Sequence, residues 1–485
     1  MPKDQYWLID AAYDDGIVQL TYIRSPDGEI ETFQHEFTPY FFALPVNLGE
    51  PVTRKELFSG QQISVAKVPS SSSARGTREW ERELNPALSY VCDNKLRFGC
   101  PHRRSNGVMQ LDLSISEGQQ EAFAANFDEV AKQDSLKYNF LNEFFQFAIQ
   151  PVPDFLNKHL KLKSKHGKTG LYEGMMLARI ANLPLKRVLG SRRVSEWIRT
   201  MLHTAYRNLG ILIPDAEELK RGYKPHRVEG ALTIAPKSGA YYNMAVLDFE
   251  SLYPSCIDYY NLSYETIDCG HAECKQSKVP GSEHYVCHQR RGIFSALIGA
   301  LKDLRIHWYK HQVRRADINP EDRNRAKVIS DLLKLFLVSC FGCTIRIPGL
   351  ACPPLAESVT AYGRWALQTS WNLAEEYGMS PVYGDTDSLF LDNPVQQQIE
   401  RLIAKIKEDL GLILSIDVTY PLCVLSSAKK AYFGMLADGT PDIKGITLGK
   451  SSTPPLFRDI FLEVVSPLGG VDAPEKLTER IPKVL

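Results

Sequence analysis

The 485-residue sequence has no excess charge of either sign: Lys and Arg together number 57, and so do Asp and Glu. That excludes a globally basic nucleic-acid binder, so any phosphate-binding footprint has to be local. The sequence also lacks a basic-then-apolar leader at Met1–Gln5, and no apolar run approaches a membrane span. The expectation is a cytoplasmic chain with no membrane partner. Ten cysteines over this length are too sparse for a disulfide framework. Hydrophobic and charged contents of 44% and 24% are ordinary for a globular protein, and the length calls for roughly two to four domains.

What is present is an acidic turn. Tyr383–Gly384–Asp385–Thr386–Asp387–Ser388 lies between Pro381–Val382 and Leu389–Phe390–Leu391, the pattern of a β-hairpin whose turn carries Gly384 and two carboxylates. An Asp-x-Asp at a tight turn sets two hard oxygen ligands close together, which suits Mg²⁺ or Mn²⁺; the plain alternative is a solvated acidic turn. A second stretch runs Ala245–Val246–Leu247–Asp248–Phe249–Glu250, where an apolar strand ends at Asp248 and gives way to a turn closed by Pro254.

Together these stretches carry a resemblance. DFESLYPS at 248–255 and YGDTDS at 383–388 resemble the two carboxylate motifs of the family B DNA polymerases. Lys429–Lys430–Ala431–Tyr432 is similar to that family's KKxY motif, and KLFLVSCFG at 334–342 to an altered form of its fingers motif KxxxNSxYG. The likeness is strongest over roughly 100–450 and most like the short archaeal branch, with a degenerate exonuclease region and a reduced thumb.

The resemblance implies an α+β right-hand polymerase fold: an antiparallel-sheet palm, a two-helix fingers domain and a small β-rich N-terminal domain. The expected boundaries are 1–108 for the N-terminal domain, 109–150 for an exonuclease remnant and 151–268 for a linker and the first part of the palm. A Cys/His insertion follows at 269–290, fingers at 291–342, the rest of the palm at 343–445 and a truncated thumb or tail at 446–485. The implied activity is DNA-templated addition of deoxynucleoside triphosphates to a primer 3′-hydroxyl with two Mg²⁺ ions, Mn²⁺ being a substitute. Asp248 and Asp387 are the leading metal ligands, with Asp385 in support and the Phe249 carbonyl as a further contributor. Ser251, Leu252 and Tyr253 would receive the nucleotide, Tyr253 as the steric gate against a 2′-hydroxyl. Arg305, Lys310, Lys327 and Lys334 would neutralise the triphosphate, Lys334 acting in catalysis. Lys327 and Lys334 are seven apart and so share a helix side. Lys429 and Lys430, read as lying on a strand over Val424–Tyr432, would contact primer–template DNA with Tyr432, Tyr383, Arg192 and Arg193.

Three departures shape the expectation. Asp112, Asp128 and Asp134 fall where exonuclease acids would lie, but Ser114 replaces a Glu and the interval is too short for an exonuclease core, so proofreading is not expected. Val338 and Phe341 replace the fingers motif's Asn and Tyr. Only Ser451–Leu485 remain for a thumb, which implies low processivity or a further chain supplying that function. The rival readings are a non-catalytic DNA-binding paralogue, which the altered fingers motif favours, and an RNA polymerase or primase-like activity, which Tyr253 opposes.

Independently of the resemblance, Cys269, Cys274 and Cys287 lie within twenty residues of one another and close to several histidines. With His284 or His288 they could supply the four ligands of a structural Zn²⁺, the alternative being free side chains.

Overall fold

The period-two pattern at Ile17–Ile23 becomes a strand, Ile17–Arg24, with Val18, Leu20 and Tyr22 buried and the intervening residues turned outward. The computed structural model describes residues 5–72, 78–152, 156, 167–190, 193–223 and 227–484. They form two units: Met1–Arg227 with Tyr260–Lys278 and His284–Ala356, and Val228–Tyr259 with Val279–Glu283 and Glu357–Leu485. Both units mix helices with antiparallel sheet, an α+β architecture.

In the first unit, strands β1 (Gln5–Asp14), β2 (Ile17–Arg24), β3 (Ile30–Glu36), β8 (Pro101–Ser105) and β9 (Val108–Leu111) make a sheet in the order β3-β2-β1-β8-β9. A second sheet joins β4 (Tyr40–Leu44), β5 (Glu50–Lys55), β6 (Gln62–Pro69) and β7 (Arg78–Trp80) in the order β5-β6-β4-β7. Helix Ser135–Ile149 starts at Asp134, whose carboxylate accepts from the Lys137 N–H at 2.9 Å, and its apolar face buries Phe140, Leu141, Phe144 and Phe145. Helix Ile293–Asp303 continues through a π-helical turn, Leu304–Tyr309, into Lys310–Arg314. Helix Pro320–Arg346 follows, begun by Asn319 capping the Asp322 N–H at 2.8 Å with proline in the first turn. An 18-residue window of this helix reaches a mean hydropathy of 1.8, enough by length and composition to cross a membrane, with half of that window buried inside the protein.

The second unit is built on a seven-stranded antiparallel sheet. Its strands are β10 (Thr233–Ile234), β11 (Gly239–Phe249), β12 (Ser380–Asp385), β13 (Ser388–Asp392), β14 (Leu414–Leu425), β15 (Tyr432–Met435) and β16 (Pro441–Lys444), ordered β10-β12-β13-β11-β14-β15-β16. Met244, Val246, Val382, Phe390 and Tyr420 fill one core cluster of this sheet. Helix Gln396–Leu410 ends at Gly411, whose φ of +64° and whose contact with the Tyr259 ring leave no room for a Cβ. The tail at 446–485 carries helices Pro455–Val465 and Pro474–Val484; Val465 and Val471 pack on Leu422 and Met435 with Phe461 and Leu477 partly buried beside them, while Leu456, Phe457, Ile460 and Val464 are exposed.

Candidate active site

The register of β11 fixes where its terminal acid lies. Asp248 is opposite Ser388 on β13 and Ser415 on β14, and the Ser388 hydroxyl donates to Asp248 Oδ1 at 2.9 Å. One residue on, the Phe249 N–H donates to the Asp387 carbonyl at 2.9 Å. Asp248 and Asp387, 139 residues apart in sequence, are therefore neighbours at one end of the sheet. The β12–β13 turn carries Thr386 at φ +60°, and the Asp387 N–H donates to the Asp385 carbonyl at 2.7 Å. Burial pushes the Asp387 carboxyl above the usual carboxylate range, Asp385 and Asp417 adding to the effect while Lys430 opposes it. A carboxylate in that setting is costly without a cation, so Asp248 and Asp387 fit a divalent ion on the chemistry of their own environment. Asp385 is differently engaged: its oxygens lie 2.7 and 2.9 Å from Lys430 Nζ, and Thr233 reaches it at 3.4 Å.

Lys429 and Lys430 do not lie on a strand, as expected, but in the turn between β14 and β15, with Lys430 at φ +63°. The apolar run ends at Leu425, and Ser426 closes the turn by donating to the Ala431 carbonyl at 2.7 Å. A Cβ on Gly445 would overlap the Lys430 carbonyl, so only glycine lets β16 lie beside this turn. Both lysines are exposed; Lys429 donates to the Thr233 carbonyl at 3.2 Å. Tyr383 is a second correction. It is buried among Phe390 and Tyr432, and its hydroxyl accepts from the Lys430 N–H at 2.9 Å, so it supports the lysine turn from within rather than offering a surface to DNA. Tyr432 is half-buried.

Ser251 takes a left-handed φ of +54° and leads into helix Leu252–Tyr259, leaving the helix's first amides at the end of β11. Leu252 has a buried side chain, and Tyr253 is half-buried against Gly363 of helix Pro353–Glu376. A Cβ on Gly363 would lie 2.7 Å from Tyr253 Cε1. Burial, with Cys256 and Asp387 adding, pushes the Tyr253 hydroxyl up to about 12. On the same helix, Thr360 and Arg364 donate to backbone carbonyls of Glu229 and Gly230 at 2.8–3.1 Å. Sequence reasoning had no signal for these two, nor for Ser388 as the donor to Asp248.

In the first unit, Lys327, Asp331, Lys334 and Val338 form an exposed stripe along helix Pro320–Arg346, Val338 being 63% exposed. Arg305 donates to the Ser330 carbonyl at 3.2 Å and braces one helix against the other; Lys310 is half-buried. Arg193 is exposed where helix Val194–Asn208 begins, and Arg192 lies outside the described residues.

The three acids of the exonuclease-like stretch have separate structural partners. Asp112 accepts from Gln5 at 3.0 Å, Asp128 pairs with Lys132 at 2.5 Å, and Asp134 caps a helix while pairing with Arg291 at 2.6 Å.

The Cys/His stretch brings together Cys269, Cys274 and Cys287 with His271, every ligand atom within 4.8 Å of the others. The expected histidines are not part of the group. His284 Nδ1 is 2.7 Å from Asp268, and His288 is 3.3 Å from the Ser277 hydroxyl. The spacing Cys-x-His-x-x-Cys at 269–274 was the available signal for His271.

A sequence profile for DNA polymerase family B matches residues 183–474, more than half of the chain. The chain belongs to DNA polymerase family B. Among curated family B relatives, it is 35% identical over 334 residues to DNA polymerase 1 of Sulfolobus acidocaldarius, an overlap of 66% of this chain and 38% of that one. It is 32% identical over 313 residues to DNA polymerase 1 of Aeropyrum pernix, covering 62% and 32% of the two chains. The chain thus spans about a third of the length of these relatives. The solved family B DNA polymerase from Pyrobaculum calidifontis shares the fold with a TM-score of 0.62 at 19% identity, over 99% of this chain and 85% of that one.

Proposed function

We propose that the chain is a DNA-templated DNA polymerase. It would add deoxynucleoside triphosphates to a primer 3′-hydroxyl, forming the 3′-O–Pα bond and releasing pyrophosphate. The observation that carries this reading is the β11–β13 register, which sets Asp248 beside Asp387 with the latter's carboxyl pushed up by burial. Asp248, Asp387 and the Phe249 carbonyl would hold the divalent ions, with Mg²⁺ the expected species. When bound, those ions supply an activated 3′-hydroxyl and neutralise the triphosphate. Ser388 orients Asp248 through its 2.9 Å hydrogen bond. The amides at Ser251–Tyr253, where helix Leu252–Tyr259 begins, receive phosphate oxygens, and the Tyr253 ring, backed by Gly363, closes the space a 2′-hydroxyl would need.

Lys334 and Lys327 meet the triphosphate charge, while Lys429, Lys430, Tyr432 and Arg193 track the DNA backbone. The separate partners of Asp112, Asp128 and Asp134 support synthesis without proofreading. The exposed Val338 on the Lys334 stripe favours the rival, a non-catalytic DNA-binding paralogue. Primer extension with purified chain and Mg²⁺ separates the two: extension lost in D248A supports the polymerase, and binding of primer–template without extension by the parent chain supports the paralogue.

A further inference from the structure

We propose that Cys269, His271, Cys274 and Cys287 bind one structural Zn²⁺, and that this ion locks a loop on which Arg290 anchors the N-terminal sheets. Three of the four side chains, the cysteines, are buried and packed with one another and Tyr285 in a small cluster. Buried thiols alone are ordinary core residues, but core packing does not make an imidazole nitrogen converge with three sulfurs. Here Cys274 Sγ and Cys287 Sγ are 3.9 Å apart, and His271 Nδ1 lies 3.4 Å from Cys287 Sγ and 4.0 Å from Cys274 Sγ. A tetrahedral ion with zinc–sulfur bonds of about 2.3 Å and zinc–nitrogen bonds of about 2.0 Å separates its ligands by roughly 3.5–3.8 Å. The Cys274, Cys287 and His271 donors lie within about 0.5 Å of those separations, and Cys269 Sγ is within 4.8 Å of each of them. A disulfide needs sulfurs at about 2.05 Å and would leave the third thiol over. Three thiolates and one imidazole, with no position left open, are the donor set of a closed structural zinc site rather than a catalytic one.

The backbone explains the convergence. Cys269, His271 and Cys274 sit on one tight segment ending in the short helix Glu273–Gln276, and Cys287 returns beside it. The return is held by Cys287 N–H to the Thr266 carbonyl at 2.8 Å and Asp268 N–H to the Tyr285 carbonyl at 2.9 Å. Asp268 takes His284 and the Tyr285 N–H at 3.1 Å, which removes His284 from the ligand pool. Three residues past Cys287, the Arg290 guanidinium donates to the Leu57 carbonyl at 2.9 Å, to the Phe58 carbonyl and to the Glu265 carbonyl at 2.6 Å. Leu57 and Phe58 lie in the turn between β5 and β6, so the metal-held loop is the seat of a strut to the N-terminal sheets. None of the four ligands belongs to the unit that carries Asp248 and Asp387.

The test is metal analysis of the full chain, made without a polyhistidine tag and purified under reducing conditions. The expected result is about one zinc per chain, lost in H271A and C274S and kept in H284A and H288A. Should C274S be insoluble, His271→Cys provides the folded variant: it should retain zinc, and its cobalt-substituted form should gain sulfur-to-metal charge-transfer intensity. Hydrogen exchange should quicken at 265–290 and at 56–60 when zinc is stripped, because the Arg290 strut loses its seat. Absence of zinc together with no cobalt uptake overturns the proposal. So does zinc that survives H271A but not H284A, or iron in place of zinc.

Discussion

Two groups of ligand-type side chains are assembled in opposite ways. Asp248, at a strand end, and Asp387, in the β12–β13 turn, are 139 residues apart and meet through sheet register, each with a neighbour that modulates it: Ser388 on Asp248, Asp385 beside Asp387. The Cys/His group draws four ligands from nineteen consecutive residues, and their donor atoms already converge within 4.8 Å. The first group offers hard oxygens and too few of them, so an ion there has coordination positions left for substrate. The second offers a full soft set and leaves none. Completeness of the protein's own ligand shell therefore separates a centre fit for chemistry from one fit only for architecture.

The comparison breaks most visibly at the acids. D248A or D387A should lower primer extension by about 10³-fold or more, several kcal/mol of lost charge stabilisation, with DNA binding retained; extension kinetics and a gel-shift assay check both halves. Next comes Y253A, which should cut discrimination against ribonucleotides by about 10²-fold, read as the ratio of kcat/KM for dCTP and CTP opposite template G. K430A is smaller: its ion pair with Asp385 is solvent-exposed, so extension should fall by about tenfold or less while the slope of log affinity against log salt shrinks by about one.

On the sulfur side, C274S should lower the melting temperature by several degrees while single-nucleotide turnover at a permissive temperature stays within about threefold. The smallest effect is at Asp387 without metal. Its folded pKa is raised, so the native state holds that proton more tightly than the unfolded chain does. The resulting stability is present below the ordinary carboxylate value and is lost as pH rises through the raised one. D387N should remove that slope and raise the melting temperature at neutral pH in chelator, an advantage that saturating Mg²⁺ reverses.

The carboxylate motifs were legible because their signals are local: an apolar strand ending in Asp248, and a glycine-bearing turn with two acids. The hydrogen bond from Ser388 was not, since it depends on which strand lies beside β11. Tyr383 was misread because a motif position carries no face; it points into the sheet's core, where Phe390 and Tyr432 cover it. The lysine turn was missed although Ser426–Ser427 mark the end of the apolar run. For the zinc ligands, counting histidines left several candidates, and Asp268 settled the matter by taking His284. The long helix Pro320–Arg346 hid its apolar window because Asp331 and Lys334 interrupt it on one exposed side only.

The sheet order of the second unit also sets a timetable for synthesis. Strands β1 and β2 pair across a two-residue turn and can close as soon as they emerge. Strand β11 pairs with β13 and β14, both more than a hundred residues downstream. At roughly 5–20 residues per second, it waits on the order of ten seconds with both edges bare and Met244–Leu247 uncovered. The acid at its tip gains its partner only after most of the first unit has been made. The candidate metal site thus closes only after β13 and β14 have been made, and slow, aggregation-exposed refolding of the second unit is the price of building it from distant strands.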